Sequence, residues 1–203
     1  VEMQRKAYDR AFSLLRSPHL KAFDVGGEPE EVRRLYGPSP FGKACLMARR
    51  LVEAGVRFVE VTLADWDSHA DNFGRHKGLM EQLDPGMAGL LEDLERRKML
   101  SETLVLWMGE FGRTPRVNGG NGRDHFTRNF CAVAAGGGVA GGRVVGRTDA
   151  KGLEPVERPV SVQDLFATVY RTLGVDGSKK FMTPGGRPIK ALDGGEPVKE
   201  ILA

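Results

Sequence analysis

Three short stretches carry side chains able to do chemistry: Asp67-Ser68-His69, Gly109-Glu110-Phe111-Gly112-Arg113-Thr114-Pro115 and Arg123-Asp124-His125. Carboxylates and imidazoles gathered in one place act as metal ligands or as acid–base groups. Asp67 and His69 are two residues apart. In an extended segment both side chains point the same way and can address one ion, whereas on a helix they would diverge by about 200°. A surface Asx-turn is the competing reading of the same residues, because Asp and Ser favour such turns. Glu110 directly follows an apolar run, and Gly109 and Gly112 beside it allow the backbone to approach a ligand closely. Phe111 reads as packing, and Arg113 as a bidentate clamp for an oxyanion. His125 is a candidate ligand, with Asp124 as its outer carboxylate or as a further oxygen donor. Arg113, Arg116, Arg123 and Arg128 crowd this part of the chain. They make either a solvated loop surface or a field that attracts an anionic substrate.

Other residues with chemical potential carry less weight. His76 lies two helical turns beyond His69, about 10 Å away if that segment is helical, too far to share an ion; it reads as a solvated histidine. His19 is isolated. Ser39 and Ser68 have no supporting triad spacing and make poor nucleophile candidates. Gly136–Gly142 (GGGVAGG) lacks the lysine and serine of a phosphate loop and reads as a turn.

These residues need elements to hold them. Arg57–Leu63 (RFVEVTL) and Thr103–Met108 (TLVLWM) read as buried strands, the second too continuously apolar for a wet face. Ligands of open α/β sheets bind beyond the carboxyl ends of such strands, where Asp67, His69 and Glu110 fall. Ala7, Tyr8, Ala11, Phe12 and Leu15 fall at helical spacing in a helix that Ser17-Pro18 ends, and Glu28–Tyr36 is a short charged helix. Phe41, Cys45, Ala48 and Val52 form another helical stripe, closed by Gly55. A helical stretch begins near Asn72, and Asp84-Pro85 restarts it as N-cap and first-turn proline, with Met87, Leu90, Leu91 and Leu94 buried. Phe130–Ala134 is a third strand and Arg143–Arg147 a short fourth. Ser161 and Asp164 make a capping box for a helix burying Leu165, Val169 and Leu173. Strands alternating with helices predict an α/β fold with a mainly parallel sheet covered on both sides. The expected organisation is one domain over residues 1–203, with peripheral helices in 1–40 and the motif-bearing core in 41–203.

Composition excludes little beyond the extremes. The 203 residues suffice for one well-buried core. Charged residues at 28% and hydrophobic ones at 40% are ordinary for a globular chain, and a net charge of +3 gives no argument for nucleic acid. No segment approaches the roughly 18 consecutive apolar residues of a membrane span. Cys45 and Cys131 cannot form a disulfide framework, and both read as buried small hydrophobes. The chain opens on Val1 and is already helical in pattern there, as a piece of a longer protein would be.

The succession WDSH–NF, LLEDLERR, TLVLWMGEFGRTP, GRDHF, AGGGVAGG and RPVSVQDLFATVYRTLGVD, from about Phe41 to Ala203, resembles the domain of unknown function 1501 family. That family is placed in the alkaline phosphatase/sulfatase-like superfamily. The resemblance implies an α/β/α sandwich of which this chain is the C-terminal half. It also implies an extracytoplasmic setting, periplasmic or secreted, since members commonly carry twin-arginine export signals. Asp67 and His69 match the Asp…His segment that supplies two ligands to one metal, and His125 matches the distant third histidine. Glu110-Phe111 stands where phosphatases have Asp-His, so the carboxylate is kept and the second metal's histidine is lost. The superfamily's first aspartate ligand and its Ser/Thr nucleophile belong to an N-terminal half missing from this chain.

The expected function is accordingly metal-dependent hydrolysis of phosphate or sulfate esters, incomplete and inactive in this piece. The divalent ion, zinc first with manganese or iron as alternatives, would be held by Asp67, His69 and His125, with Asp124 as a further donor and Glu110 binding or orienting a second ion or water. Arg113 and Arg123 would hold an anionic small-molecule or polymer substrate. The alternative is a non-catalytic binding or scaffold module of an exported protein.

Overall fold

The computed structural model describes residues 2–203; Val1, and the side chain of Ala11 in the first helical stripe, lie outside the described residues. The chain divides into two compact units, Val1–Ser68 with Phe73–Met99 and His69–Asn72 with Leu100–Ala203.

The first unit is helical. Helix α1 (Glu2–Leu15) leaves Tyr8, Phe12 and Leu15 exposed. Helix α2 (Glu30–Leu35) precedes α3 (Pro40–Glu53), which Ser39 caps by accepting from the Gly42 N–H at 3.0 Å. Gly55, at φ +90°, closes α3 as its position requires. Cys45 and Ala48 of the expected stripe are buried, and burial pushes the Cys45 thiol up to about 12. Helix α4 (Asn72–Arg96) runs without interruption through Pro85, so the expected restart at Asp84-Pro85 does not occur. Close packing overrides the proline here. A Cβ on Gly86 would come within 2.7 Å of the Phe41 ring, and one on Gly89 within 2.5 Å of the Leu35 carbonyl. This face of α4 therefore lies directly on the Leu35–Gly42 segment, and tertiary contact outweighs one lost backbone bond.

Tyr36, Phe41, Cys45, Leu46 and Leu83 form the core, with Val61, Leu63 and Trp66 packed against it. At its edge the Arg49 side chain is wholly buried, with Nη2 2.9 Å from Glu28 Oε2 and Nε 2.8 Å from Asp93 Oδ2. Tyr36 donates to the same Asp93 carboxylate at 2.9 Å, and Arg97 Nε reaches its other oxygen at 2.8 Å. Burial pulls Glu28 and Asp93 toward higher pKa. The hydrogen bonds and charges of Arg49, Arg50 and Arg97, with the Tyr36 hydroxyl, outweigh it and hold both carboxyls below their usual values.

The second unit carries the strands. Strand β1 (Leu104–Met108) pairs antiparallel with β4 (Ala132–Gly136), and β2 (Gly112–Arg113) with β3 (His125–Phe126). The pairs β5 (Arg147–Thr148) with β6 (Pro155–Glu157), and β7 (Lys180–Met182) with β8 (Pro188–Lys190), are also antiparallel. Helix α5 (Val162–Thr172) has the expected Ser161/Asp164 capping box and buries Leu165, Ala167 and Thr168, while Leu173 is exposed.

The expected α/β/α sandwich with a mainly parallel sheet is therefore overturned. Among the described residues the sheets are four antiparallel pairs of two strands each. Two physical reasons account for the difference. A parallel neighbour needs a crossover connection, but no helix lies between β1 and β4, and the chain folds back on itself. Residues 57–63 form no ladder; they alternate, with Val59, Val61 and Leu63 half-buried and Phe58, Glu60 and Thr62 exposed. That alternation satisfies one face by packing on helices, with no strand neighbour. With only one partner, β1 also has a wet end, Trp107 and Met108 being 43% and 38% exposed. Cys131 falls one residue before β4 and is exposed, contrary to the buried position expected of it.

The buried charge cluster generates a stability prediction. Arg49→Ala should destabilise the protein by about 3 kcal/mol, the low end for breaking a buried pair, because Arg50 and Arg97 remain beside the carboxylates. Since Glu28 and Asp93 have lowered pKa values, their contribution is complete above about pH 4.5, where unfolded carboxyls are ionised, and disappears as pH falls through the lower folded values. Urea unfolding at pH 7 and pH 3 should show a larger acid-induced loss for the parent chain than for Arg49→Ala. Equal losses would remove the cluster from the account.

Candidate metal centre

His69 is placed by two backbone stretches of the second unit held very close together. Residues 69–72 and 118–122 exchange backbone hydrogen bonds: the Asp71 N–H donates to the Gly120 carbonyl at 3.0 Å and the Asn72 N–H to the Asn121 carbonyl at 2.8 Å. Ala70 and Asn121 form an isolated bridge. Only glycine fits where the stretches approach most closely, since a Cβ on Gly122 would lie 1.9 Å from the His69 carbonyl oxygen. The β2–β3 pair then presents the second histidine. Arg113 stands directly opposite His125 in its register, and directly opposed residues share a face. Gly112 has the same kind of role as Gly122, because a Cβ there would meet the Asn129 carbonyl at 1.8 Å.

Two imidazoles meet in consequence. His69 Nε2 and His125 Nε2 are 3.2 Å apart, with ring centroids separated by 4.8 Å. Two nitrogens bound at about 2.05 Å to one tetrahedral zinc would be about 3.3 Å apart. Behind His69, the Nδ1 nitrogen is 2.8 Å from Asp124 Oδ1. An ionised carboxylate only accepts, so Nδ1 is the donor of this bond, and in the neutral imidazole that leaves the Nε2 lone pair toward His125. This carboxylate–histidine arrangement is the one that commonly orients a metal ligand. The hydrogen bonds from His69 and then Asn118 hold the Asp124 carboxyl below the usual range. Asp67 lies two residues before His69 on the same loop. One oxygen of Asp67 and one ring nitrogen each of His69 and His125 lie within 4.8 Å of one another. All three side chains are exposed, and together they could hold a metal ion.

The remaining sequence candidates take other places. Asp124 sits behind His69. Glu110 lies two residues beyond the end of β1, after Gly109, and its Oε1 accepts from Arg113 Nη2 at 3.3 Å; it is not among the three grouped ligands. The Arg113 guanidinium also lies 5.7 Å from the centre of the Phe111 ring, and that ring packs 4.6 Å from the His125 ring. Phe111 thus packs against a candidate ligand, His125. Arg123 Nη1 donates to the carbonyls of Thr114 and Pro115 at 2.7 and 2.6 Å, which places it as a brace of the loop. His76 is half-buried, with Nε2 3.1 Å from Ser68 Oγ and its ring edge-on to Trp66. Ser68 is fully buried. Sequence reasoning overlooked Asn118, whose carboxamide reaches both the His69 carbonyl and Asp124. The Asn118-Gly-Gly-Asn-Gly122 run signals a tight turn, but nothing local in it identifies the histidine 49 positions earlier as its partner.

These features define a candidate metal-binding protein. The chain belongs to the DUF1501 family, whose members are described as proteins of unknown function; the family model matches residues 1–202. No curated protein and no solved structure matches it.

The close approach at Gly122 can be tested directly. Gly122→Ala should weaken zinc binding at least about tenfold, the scale on which disturbing the surroundings of a ligand acts. Gly120→Ala is the control, since its added methyl would meet only ordinary contacts at 3.6 Å and beyond. Equal affinities in the two variants, measured by competition with a chromogenic chelator, would mean that the approach does not set the ligand geometry.

Proposed function

We propose that this chain is the metal- and anion-binding part of a hydrolase acting on phosphate or sulfate esters, related to the alkaline phosphatase/sulfatase-like superfamily through its site chemistry. The observation that carries the reading is the 3.2 Å separation of the His69 and His125 Nε2 atoms, with Asp124 fixing the tautomer of the first. Two imidazoles and a carboxylate suit zinc, and manganese or iron would also accept them. When bound, a divalent ion supplies Lewis acidity for a phosphoryl or sulfuryl oxygen.

The chain's own residues account for the rest of the reading. Arg113, directly across from His125, supplies a guanidinium fork on the ligand face. Glu110 is its present partner at 3.3 Å, so an incoming oxyanion competes with that carboxylate for the arginine. Phe111 excludes water from one side of His125 by packing on it. Ser68 is the hydroxyl next in sequence to the ligands, but it is buried against His76 and not presented for attack. No residue is therefore assigned as nucleophile. The setting that goes with this reading is extracytoplasmic. Among the described residues no helix is long and apolar enough to cross a membrane.

Elemental analysis after mild dialysis should find about one tightly held ion per chain, lost in His69→Ala and in His125→Ala. An ion retained in both variants would end the assignment. Metal-loaded protein should bind inorganic phosphate or sulfate, and Arg113→Ala should weaken that binding about tenfold. Aryl phosphate and aryl sulfate should not be turned over at an enzymatic rate by this 203-residue chain with zinc, manganese or magnesium. Turnover abolished by His125→Ala would show that an activated water replaces the side-chain nucleophile. Metal binding without any anion binding would favour the scaffold alternative.

A further inference from the structure

The Asn118 carboxamide is saturated, and the way it is saturated gives it a role. Its oxygen accepts from the Gly120 and Gly122 N–H groups at 3.0 and 2.9 Å, which builds the turn. Its nitrogen has two hydrogens. One reaches the His69 carbonyl at 3.0 Å and the other Asp124 Oδ1 at 3.1 Å, the same oxygen that faces His69 Nδ1. These four bonds are the full capacity of a carboxamide. The acceptor half thus serves the local loop, and the donor half serves the histidine and its carboxylate partner.

We propose that Asn118 is a positioning residue that holds His69 from both ends, fixing the backbone through its carbonyl and the imidazole through Asp124. Without the Asn118 donor, the Asp124 carboxylate is free to rotate away from Nδ1. His69 then loses the constraint that keeps its proton on Nδ1 and its Nε2 lone pair toward His125. The consequence for ion binding rests on the metal reading above, whereas the hold on the imidazole does not.

Aspartate and serine at this position keep an oxygen acceptor for the Gly120 and Gly122 N–H groups and remove the amide donors, so they separate loop building from positioning. The experiment uses the full chain with Asn118→Asp and Asn118→Ser. It measures the His69 tautomer in the metal-free protein by nitrogen-15 NMR, and cobalt(II) affinity from the visible ligand-field bands. Both variants should keep the parental circular dichroism, lose the predominance of the Nδ1–H tautomer, and bind cobalt(II) at least about tenfold more weakly, as expected for loss of an outer partner of a ligand. The loss in Asn118→Asp would be the more telling, because its added negative charge favours a cation. Parental tautomer and cobalt affinity within twofold in either folded variant would overturn the inference. A parent chain that binds no cobalt(II), but whose His69 tautomer still depends on Asn118, would uphold the positioning role and remove the metal reading alone.

Discussion

Everything chemically interesting in this chain depends on two backbones touching with no side chain between them. At Gly122 the approach to His69 leaves no room for a methyl group, and the residues on either side exchange N–H and carbonyl groups. That contact converts a separation of more than fifty positions in the chain into two imidazole nitrogens 3.2 Å apart. Side-chain hydrogen bonds alone would not achieve this, because His69, Asp124 and His125 are all on the exposed side of the loop. Exposed pairs are individually weak and fluctuate. Fixing the backbone first lets weak surface interactions define a geometry.

The same logic lets an exposed site hold its side chains at several points each. His69 is held at its carbonyl by Asn118, at Nδ1 by Asp124 and at Nε2 by His125. Asp124 is itself tied through its backbone to Thr114, whose hydroxyl accepts from the Asp124 N–H at 3.1 Å and whose own N–H donates back at 2.9 Å. Arg123 braces the carbonyls of Thr114 and Pro115. The basic residues that read in sequence either as a solvated loop surface or as an anion-attracting field have different partners. Arg123 donates to the loop's own carbonyls, Arg128 pairs with Glu154, and Arg113 stands across from His125. Charge density along a sequence does not say which of its guanidinium groups brace their own loop.

The site was more legible in the sequence than the fold. Asp67, His69 and His125 stand out by residue type, and the spacing of Asp67 and His69 suggests a shared ion, but it is the family resemblance that joins the distant His125 to them, as the structure does. Local signals were also readable: Gly55 after α3, the Ser161/Asp164 box, and the buried Cys45 each follow from interactions within a few residues. Strand partnership is not local. The alternation of Val59, Val61 and Leu63 with polar or exposed neighbours fits a strand, and equally an extended segment lying on helices; the structure has the second. The continuous apolar run of Thr103–Met108 suggested burial on both faces, but its hydrophobicity does not specify how many neighbours it has. Pro85 misled for the opposite reason, since a strong local preference yielded to Gly86 and Gly89 lying against Phe41 and Leu35.

The candidate site stands on contacts among a few side chains and on one backbone approach, none of which requires a parallel sheet. A metal ligand set asks only for donor atoms at the right separations and for groups that orient them. The β2–β3 pair, two residues in each strand, supplies both by placing His125 opposite Arg113 and carrying Asp124 immediately before it. So short a ladder would be marginal in isolation. Here it is locked at Gly112 against the Asn129 carbonyl and at its open end by Thr114 and Asp124. The same short ladder sets the charge beside the histidine: Arg113 stands across from His125 with the Glu110 carboxylate 3.3 Å from its Nη2, so a cation and an anion of the chain's own lie side by side next to the candidate ligand.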